Sequence, residues 1–322
     1  MATINQIKEL FKSHFNEDNE KFKVIALQIA AHEAKIGHTS SARELKAIID
    51  NSPSTKNKVV KLNDANKLFK LEYPSAGIEQ LVVSEDIEVK IDRIISEYKK
   101  RNILLKYGLK NRSKLLLEGE PGTGKTMTAS VIGHELQLPL YTVQIHSLIS
   151  KYMGETSVKL KEIFEQIQEN RGVYFFDEFD AIGSDRRYDN DVGEMRRILN
   201  SFLQYIETDD SSSIIICATN NPSMLDKALF RRFDDVFEYR FPDEIQIIKL
   251  LKLNLQDISF NQISINKEIV DSAKGLSHSE IVTACNETKK YSLLSEDNVD
   301  NKILLQFLKE RRKFMKYQED RS

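Results

Sequence analysis

Gly119-Glu120-Pro121-Gly122-Thr123-Gly124-Lys125-Thr126 decides the fold. The octapeptide fits G-x-x-x-x-G-K-[ST], between an apolar run (Lys114 to Glu118) that reads as a strand and a stretch (Thr126 to Leu136) that reads as a helix. Glycines at this spacing let the backbone turn its N–H groups inward, and the following helix adds the positive end of its dipole. The product is a concave anion cradle. In it Lys125 bridges the outer phosphates of a nucleotide and Thr126 offers a hydroxyl to Mg²⁺, while Glu120, Pro121, Gly122, Thr123, Gly124 and Met127 complete the binding set.

Three further stretches follow in order. Val173-Tyr174-Phe175-Phe176-Asp177-Glu178 is an apolar strand ending in two carboxylates. Asp177 can reach a metal through water, and Glu178 can polarise the attacking water. Ile214 to Ala218 is another buried strand, delivering Asn220 at the carboxyl edge where open α/β sheets place their ligands; there it can orient the lytic water. In Asp226-Lys227-Ala228-Leu229-Phe230-Arg231-Arg232-Phe233-Asp234, two arginines precede the last strand, and the chain's own phosphate loop does not require them. A guanidinium offered to a neighbour's γ-phosphate stabilises transition-state charge, which requires an oligomer.

Outward from these motifs, short β-rich runs alternate with amphipathic helical stretches, as in a parallel sheet covered by helices. Strands are expected at Lys114 to Leu117, Leu140 to Gln144, Val173 to Phe176, Ile214 to Ala218 and Val236 to Tyr239, with a helix over Asp191 to Ile206. The fold class is an α/β P-loop core with a five-stranded parallel sheet between helices, a C-terminal helical lid and a small N-terminal helical bundle. The expected domains are the bundle over 1–50, a linker over 51–72, the core over 73–242 and the lid over 243–322. The bundle reads as three short helices, the first on the helical spacing of Ile4, Ile7, Leu10 and Phe11. Thr3 and Ser40 or Ser41 are candidate caps, and Gly37 stops the second helix. The linker is rich in Ser, Pro, Lys and Asn and lacks an apolar period.

The 322 residues, 40% hydrophobic, suffice for two or three domains. Lys plus Arg total 47 against 49 for Asp plus Glu, so the net charge of -2 gives no global field for nucleic acid. Residues 1–70 hold 12 Lys or Arg against 8 Asp or Glu, a mildly basic arm of +4. Cys217 and Cys285 have no paired spacing and read as reduced core residues. His32 and His38 lack acids at metal spacing and read as surface histidines. No apolar run approaches a membrane span, and the charged N-terminus is unlike a leader, so a cytoplasmic protein without membrane contact is expected.

From about Ala76 to Lys290 the chain resembles the AAA family, on GEPGTGKT, FFDEFD, ATNNP and LDKALFRRFD in order. The resemblance implies a homo-hexameric ring with Mg-ATP at each subunit junction. Lys125 and Thr126 then contact nucleotide and metal, Asp177 and Glu178 are the Walker B acids, Asn220 is the sensor, and Arg231 and Arg232 are fingers acting in trans. It places the adenine near Leu81 to Val83 and under the lid. Leu148 to Glu155 resembles the family's first pore loop, in which Lys151, Tyr152 and Met153 face the channel and grip an extended polypeptide substrate. The arm (Phe22 to Asp50), the single ATPase module and the ALFRRFD form resemble bacterial stand-alone AAA ATPases. Their genes commonly lie beside a subtilisin-like serine protease, as a phage-defence pair.

The sequence also departs from the family pattern. Glu120 replaces a common proline, Asn221 a frequent arginine, and the usual Arg-Pro-Gly-Arg-Phe-Asp is compacted to Phe230-Arg231-Arg232-Phe233-Asp234, which leaves the finger open between two arginines. Gly275-Leu276-Ser277-His278-Ser279-Glu280 resembles the Gly-x-Ser-Gly-Ala-Asp turn but brings no sensor arginine, and His278 reads as an exposed cap. The expected activity is ATP-driven unfolding, threading or remodelling of protein. The rivals are a disassembly or severing factor for a protein polymer, and a nucleic-acid-dependent ATPase switch, which the charge balance disfavours.

Overall fold

The computed structural model describes residues 4–15, 18–50, 68–145, 148, 156–182, 192–225, 227–256, 264–295 and 301–319. They form two compact units, one of Met1–Ile78, Ile91–Leu117 and Thr126–Phe237, the other of Glu79–Lys90, Glu118–Lys125 and Glu238–Ser322.

The first unit begins with three helices, α1 (Ile4–Phe15), α2 (Asn19–Lys35) and α3 (Thr39–Asp50). Asp18 caps α2 by accepting from Lys21 N, and Gly37, at φ +93°, ends the turn that follows. Ser40 and Ser41 fall inside the first turn of α3 rather than capping it; Thr3 lies outside the described residues. Only α2 and α3 bury an apolar face, through Ile25, Leu27, Ala30, Ala42 and Ile49. On α1, of the helically spaced Ile4, Ile7, Leu10 and Phe11, only Leu10 is half-buried and the other three are exposed. His38 is paired, its Nδ1 2.8 Å from Glu33 Oε2.

The sheet has six strands in the order β1-β3-β4-β5-β2-β6: β1 (Lys70–Glu72), β2 (Lys114–Gly119), β3 (Leu140–Gln144), β4 (Val173–Asp177), β5 (Ile214–Thr219) and β6 (Asp235–Tyr239). The five expected strands are all present, and β3, β4 and β5 run parallel. The sixth corrects the five-stranded parallel reading: β1 pairs antiparallel with the edge of β3, Leu71 opposite Tyr141. It also shortens the linker read over 51–72, since Leu68 is buried in the core and Phe69 packs edge-on against Tyr141 and Tyr174. Three exposed residues carry no apolar alternation, which is the pattern by which a strand is read.

Helices α4 (Glu85–Lys99), α5 (Arg101–Lys106), α6 (Lys125–Leu136), α7 (Thr156–Glu169), α8 (Val192–Thr208) and α9 (Lys227–Phe230) accompany the strands. The core joins the sheet to α7 and α8 through Leu160, Ile163, Phe164, Ile198, Phe202 and Ile206, packed on Tyr174, Phe176, Ile215 and Cys217. Parallel strands buried this way become near-continuous apolar runs; every residue of β5 is buried.

The second unit contains α10 (Glu244–Asn254), α11 (Lys267–Ala273), α12 (His278–Ser295) and α13 (Asn301–Glu319). Asp243 and Gln246 form a capping box on α10, and Asn266 caps α11 by accepting from Ile269 N. The helices share a core of Ile247, Leu251, Ile269, Ile281, Cys285, Leu304 and Leu308, in which Val82 also packs. Both cysteines are free and buried, and burial pushes the Cys285 thiol up to about 12.

Candidate functional site

In the second unit the phosphate loop turns on glycines. Gly119, Gly122 and Gly124 have φ of +140°, +73° and +110°, backbone that other residues rarely adopt. A Cβ on Gly119 would lie 2.1 Å from Tyr239 O, so that position has no room for a side chain. Thr123 is fully buried and donates to Glu120 O at 2.7 Å, closing the loop on itself. Lys125 is 7% exposed, its ammonium donating to Gly119 O at 2.6 Å and Glu120 O at 2.9 Å. That ammonium, held inside the curve of the loop, is the charge a phosphate chain needs.

The same loop touches the start of α12. Ser279 N donates to Gly122 O at 3.0 Å, and a Cβ on Gly122 would come within 2.8 Å of both Ser277 Oγ and Ser279 Oγ. Ser277 caps α12 by accepting from Glu280 N. His278, read from the sequence as an exposed cap, is instead 8% exposed.

In the first unit, Thr126 and Met127 open α6, with Thr126 exposed. Asp177 ends β4, and its Oδ1 accepts from Glu178 N at 3.0 Å. Glu178 is exposed and holds φ +54°, the left-handed region that a side chain disfavours; such strain, kept by surrounding structure, gathers at functional positions. Asn220 follows β5 and is also exposed. Asp180, which the sequence reading left without a role, links the two strand ends: its Oδ1 accepts from Thr219 Oγ1 at 3.2 Å and from Asn220 N at 3.4 Å. The FFDEFD stretch contains this residue, but its partner is 39 positions away and no local pattern marks the pair.

Arg231 is exposed, whereas Arg232 is half-buried with Nη2 3.5 Å from Glu207 Oε2. Lys151, Tyr152 and Met153 lie outside the described residues. Among the described residues no three His, Cys, Asp or Glu side chains form a metal cage, and no helix is long and apolar enough to cross a membrane.

The sequence profile of the family described as "ATPase family associated with various cellular activities (AAA)" matches residues 115–241. The chain is 30% identical over 304 residues to an uncharacterized AAA family ATPase of Sinorhizobium fredii, spanning 91% of this chain and 90% of that protein. The chain therefore belongs to the AAA family and is an ATP-hydrolysing enzyme. It is also 27% identical over 259 residues to the ATP-dependent zinc metalloprotease FtsH of Helicobacter pylori, spanning 77% of this chain and 40% of that one. With the proteasome-activating nucleotidase of Methanoregula boonei it shares 30% over 206 residues, 62% of this chain and 47% of the relative.

Proposed function

We propose that the chain assembles into a homo-hexameric ring that hydrolyses Mg-ATP at its subunit junctions to unfold, thread or remodel a polypeptide. The two relatives named for proteolytic machines support protein as the substrate. In this reading Lys125 and the Glu120 to Met127 loop hold the phosphates, and Thr126 and Asp177 hold Mg²⁺. The loop's inward Lys125, the exposed Thr126 hydroxyl and the carboxylates ending β4 fit such a ligand. Magnesium there supplies charge neutralisation on the phosphate oxygens. Glu178 accepts a proton from the attacking water, and Asn220 orients that water, in register with β4 through Asp180.

The observation carrying the ring is the asymmetry of the arginines. Arg232 is engaged within its own subunit by Glu207, and Arg231 projects outward, which makes Arg231 the finger for a neighbour's γ-phosphate. The helices after Pro242 act as the lid, and residues 151–153 as the pore loop. The arm's resemblance to stand-alone bacterial AAA ATPases adds a subtilisin-like protease as partner and phage defence as the setting, inside the cytoplasm.

The test is ATPase rate per subunit against protein concentration, for the unaltered chain and for R231A and R232A. The ring predicts a rate that rises with concentration, collapses in R231A by about a thousandfold and falls much less in R232A. A flat profile untouched by either change would remove the shared site.

A further inference from the structure

Within the first unit, a cavity of about 710 Å³ opens between the N-terminal bundle and the core. Six cations line it, Lys8, Lys12 and Lys21 from the bundle and Lys99, Arg101 and Arg171 from the core, against three carboxylates, Glu9, Asp18 and Glu135. The positive charge comes from both sides, so bundle and core repel each other here unless an anion lies between them.

The carboxylates are already engaged. Glu9 meets Lys12 at 2.8 Å and Lys21 at 2.9 Å, which hold its carboxyl below the usual range. Asp18 accepts from Lys21 N as the cap of α2, and Glu135 Oε1 accepts from Ile78 N at 3.4 Å. Among the described residues Lys8, Lys99 and Arg171 enter no ion pair. Arg101 is held in place: Nη1 donates to Tyr98 O at 3.0 Å, and the guanidinium carbon stands 4.6 Å from the Tyr98 ring centre. Tyr98 is fixed in turn by donating to Ser212 O at 2.9 Å, and Arg171 and Arg101 both pull its phenol pKa down against burial. Two guanidiniums therefore gather about one anchored ring. Gln28, 1% exposed, also borders the cavity, and its Nε2 has no hydrogen-bond partner. The end of α6 reaches the cavity with its carbonyls partly taken, Gln137 N donating to His134 O and Leu138 N to Gly133 O, which removes two acceptors that would oppose an anion.

We propose that this cavity binds a small anion bearing more than one phosphate group, which clasps the N-terminal arm to the ATPase core through Lys8 on one side and Arg101 and Arg171 on the other. The volume suits a small molecule, for which pockets of roughly 300–1,000 Å³ are usual. A phosphate group brings about two charges and three acceptor oxygens, so two such groups answer the surplus of cations where a single carboxylate would not. The guanidinium fork matches phosphate oxygens two at a time. The site is distinct from the phosphate loop, whose residues 118–125 belong to the other unit.

The experiment titrates inorganic tripolyphosphate calorimetrically into full-length K125A, whose phosphate loop lacks its ammonium, at about 0.15 M salt to suppress diffuse attraction. Saturable binding is expected, and K8A or R171A, each added to K125A, weakens it about tenfold. In the otherwise unaltered chain K8A and R171A keep the parent's ATPase rate, which shows that both fold; should either fail to fold, K99A takes its place. Hydrogen exchange slows on addition of tripolyphosphate both in α1 and around Arg101. Absence of saturable binding, an affinity indifferent to K8A or to R171A, or protection confined to one side overturns the proposal. So does a single-stranded oligonucleotide that binds more tightly than tripolyphosphate with the same dependence on Lys8 and Arg171, which would assign the cavity to a nucleic-acid backbone instead.

Discussion

Asp180 Oδ1 accepts the hydroxyl proton of Thr219 across 3.2 Å, joining the turn after β4 to the last residue of β5. Thr219 is 1% exposed, so its hydroxyl has little water to turn to. Asn220 follows directly and donates its own N–H to the same carboxylate oxygen. The hydroxyl of Thr219 and the peptide N–H of Asn220 thus share one carboxylate oxygen, in the turn that follows Glu178.

Removing that carboxylate in D180A is expected to strand the buried hydroxyl, costing about 1–3 kcal/mol of stability, and to lower kcat more than it changes KM. Thr219→Val removes the stranded hydroxyl but also the acceptor of Asn221 N at 3.0 Å, so it too should be destabilising in a denaturant melt. Equal kcat in D180A and the unaltered chain would mean that Asn220 needs no such anchor.

Replacing Glu178 by Gln keeps the side chain's shape and removes its basicity. Turnover should fall by about a hundredfold or more while ATP affinity stays within about threefold, read by single-turnover hydrolysis and nucleotide titration. Retained turnover would place the base elsewhere.

Gly119→Ala must fit a Cβ 2.1 Å from Tyr239 O at φ +140°. Since backbone cannot give way there as a flexible side chain could, a loss of about 3 kcal/mol or more is expected in thermal or urea unfolding. An alanine variant as stable as the parent would contradict this approach of loop and strand.

His278 also makes a pH prediction. Burial holds its folded-state pKa at about 4, below the ordinary 6.5, so between these values the unfolded chain binds the extra proton and the folded chain does not. Stability contributed by this residue is therefore flat above about pH 6.5 and lost as pH falls toward 4, by up to about 3 kcal/mol. Asp243 acts in the opposite direction and limits the loss. Urea midpoints for the unaltered chain and H278A should converge as pH drops; parallel curves would refute the buried neutral ring.

Much of this was legible in the sequence because the informative groups are contiguous. A glycine-rich loop with its flanking strand and helix, or a run such as Ile214 to Ala218 ending near Asn220, carries its structural context in a dozen residues. What escaped is set by distant partners. Asp180 acquires its role from Thr219, and His278 its burial from the company of Val82 and Asp243. Capping residues around His278 argued for exposure, yet Ser277 does the capping. The apolar period of α1 was equally visible, but periodicity tells which residues share a face, not whether anything covers it. The short β1 had no period to see, and its presence depends on Leu68 and Phe69 finding the core.

That small strand limits how the chain can be trimmed. β3 would otherwise present a bare row of peptide groups along the margin of the sheet, the kind of template on which other chains nucleate aggregates. A protease cutting upstream of Leu68 would leave the selvedge hemmed. One cutting after Glu72 would unravel it, and the released ATPase fragment would be prone to self-association even with every catalytic residue still in place.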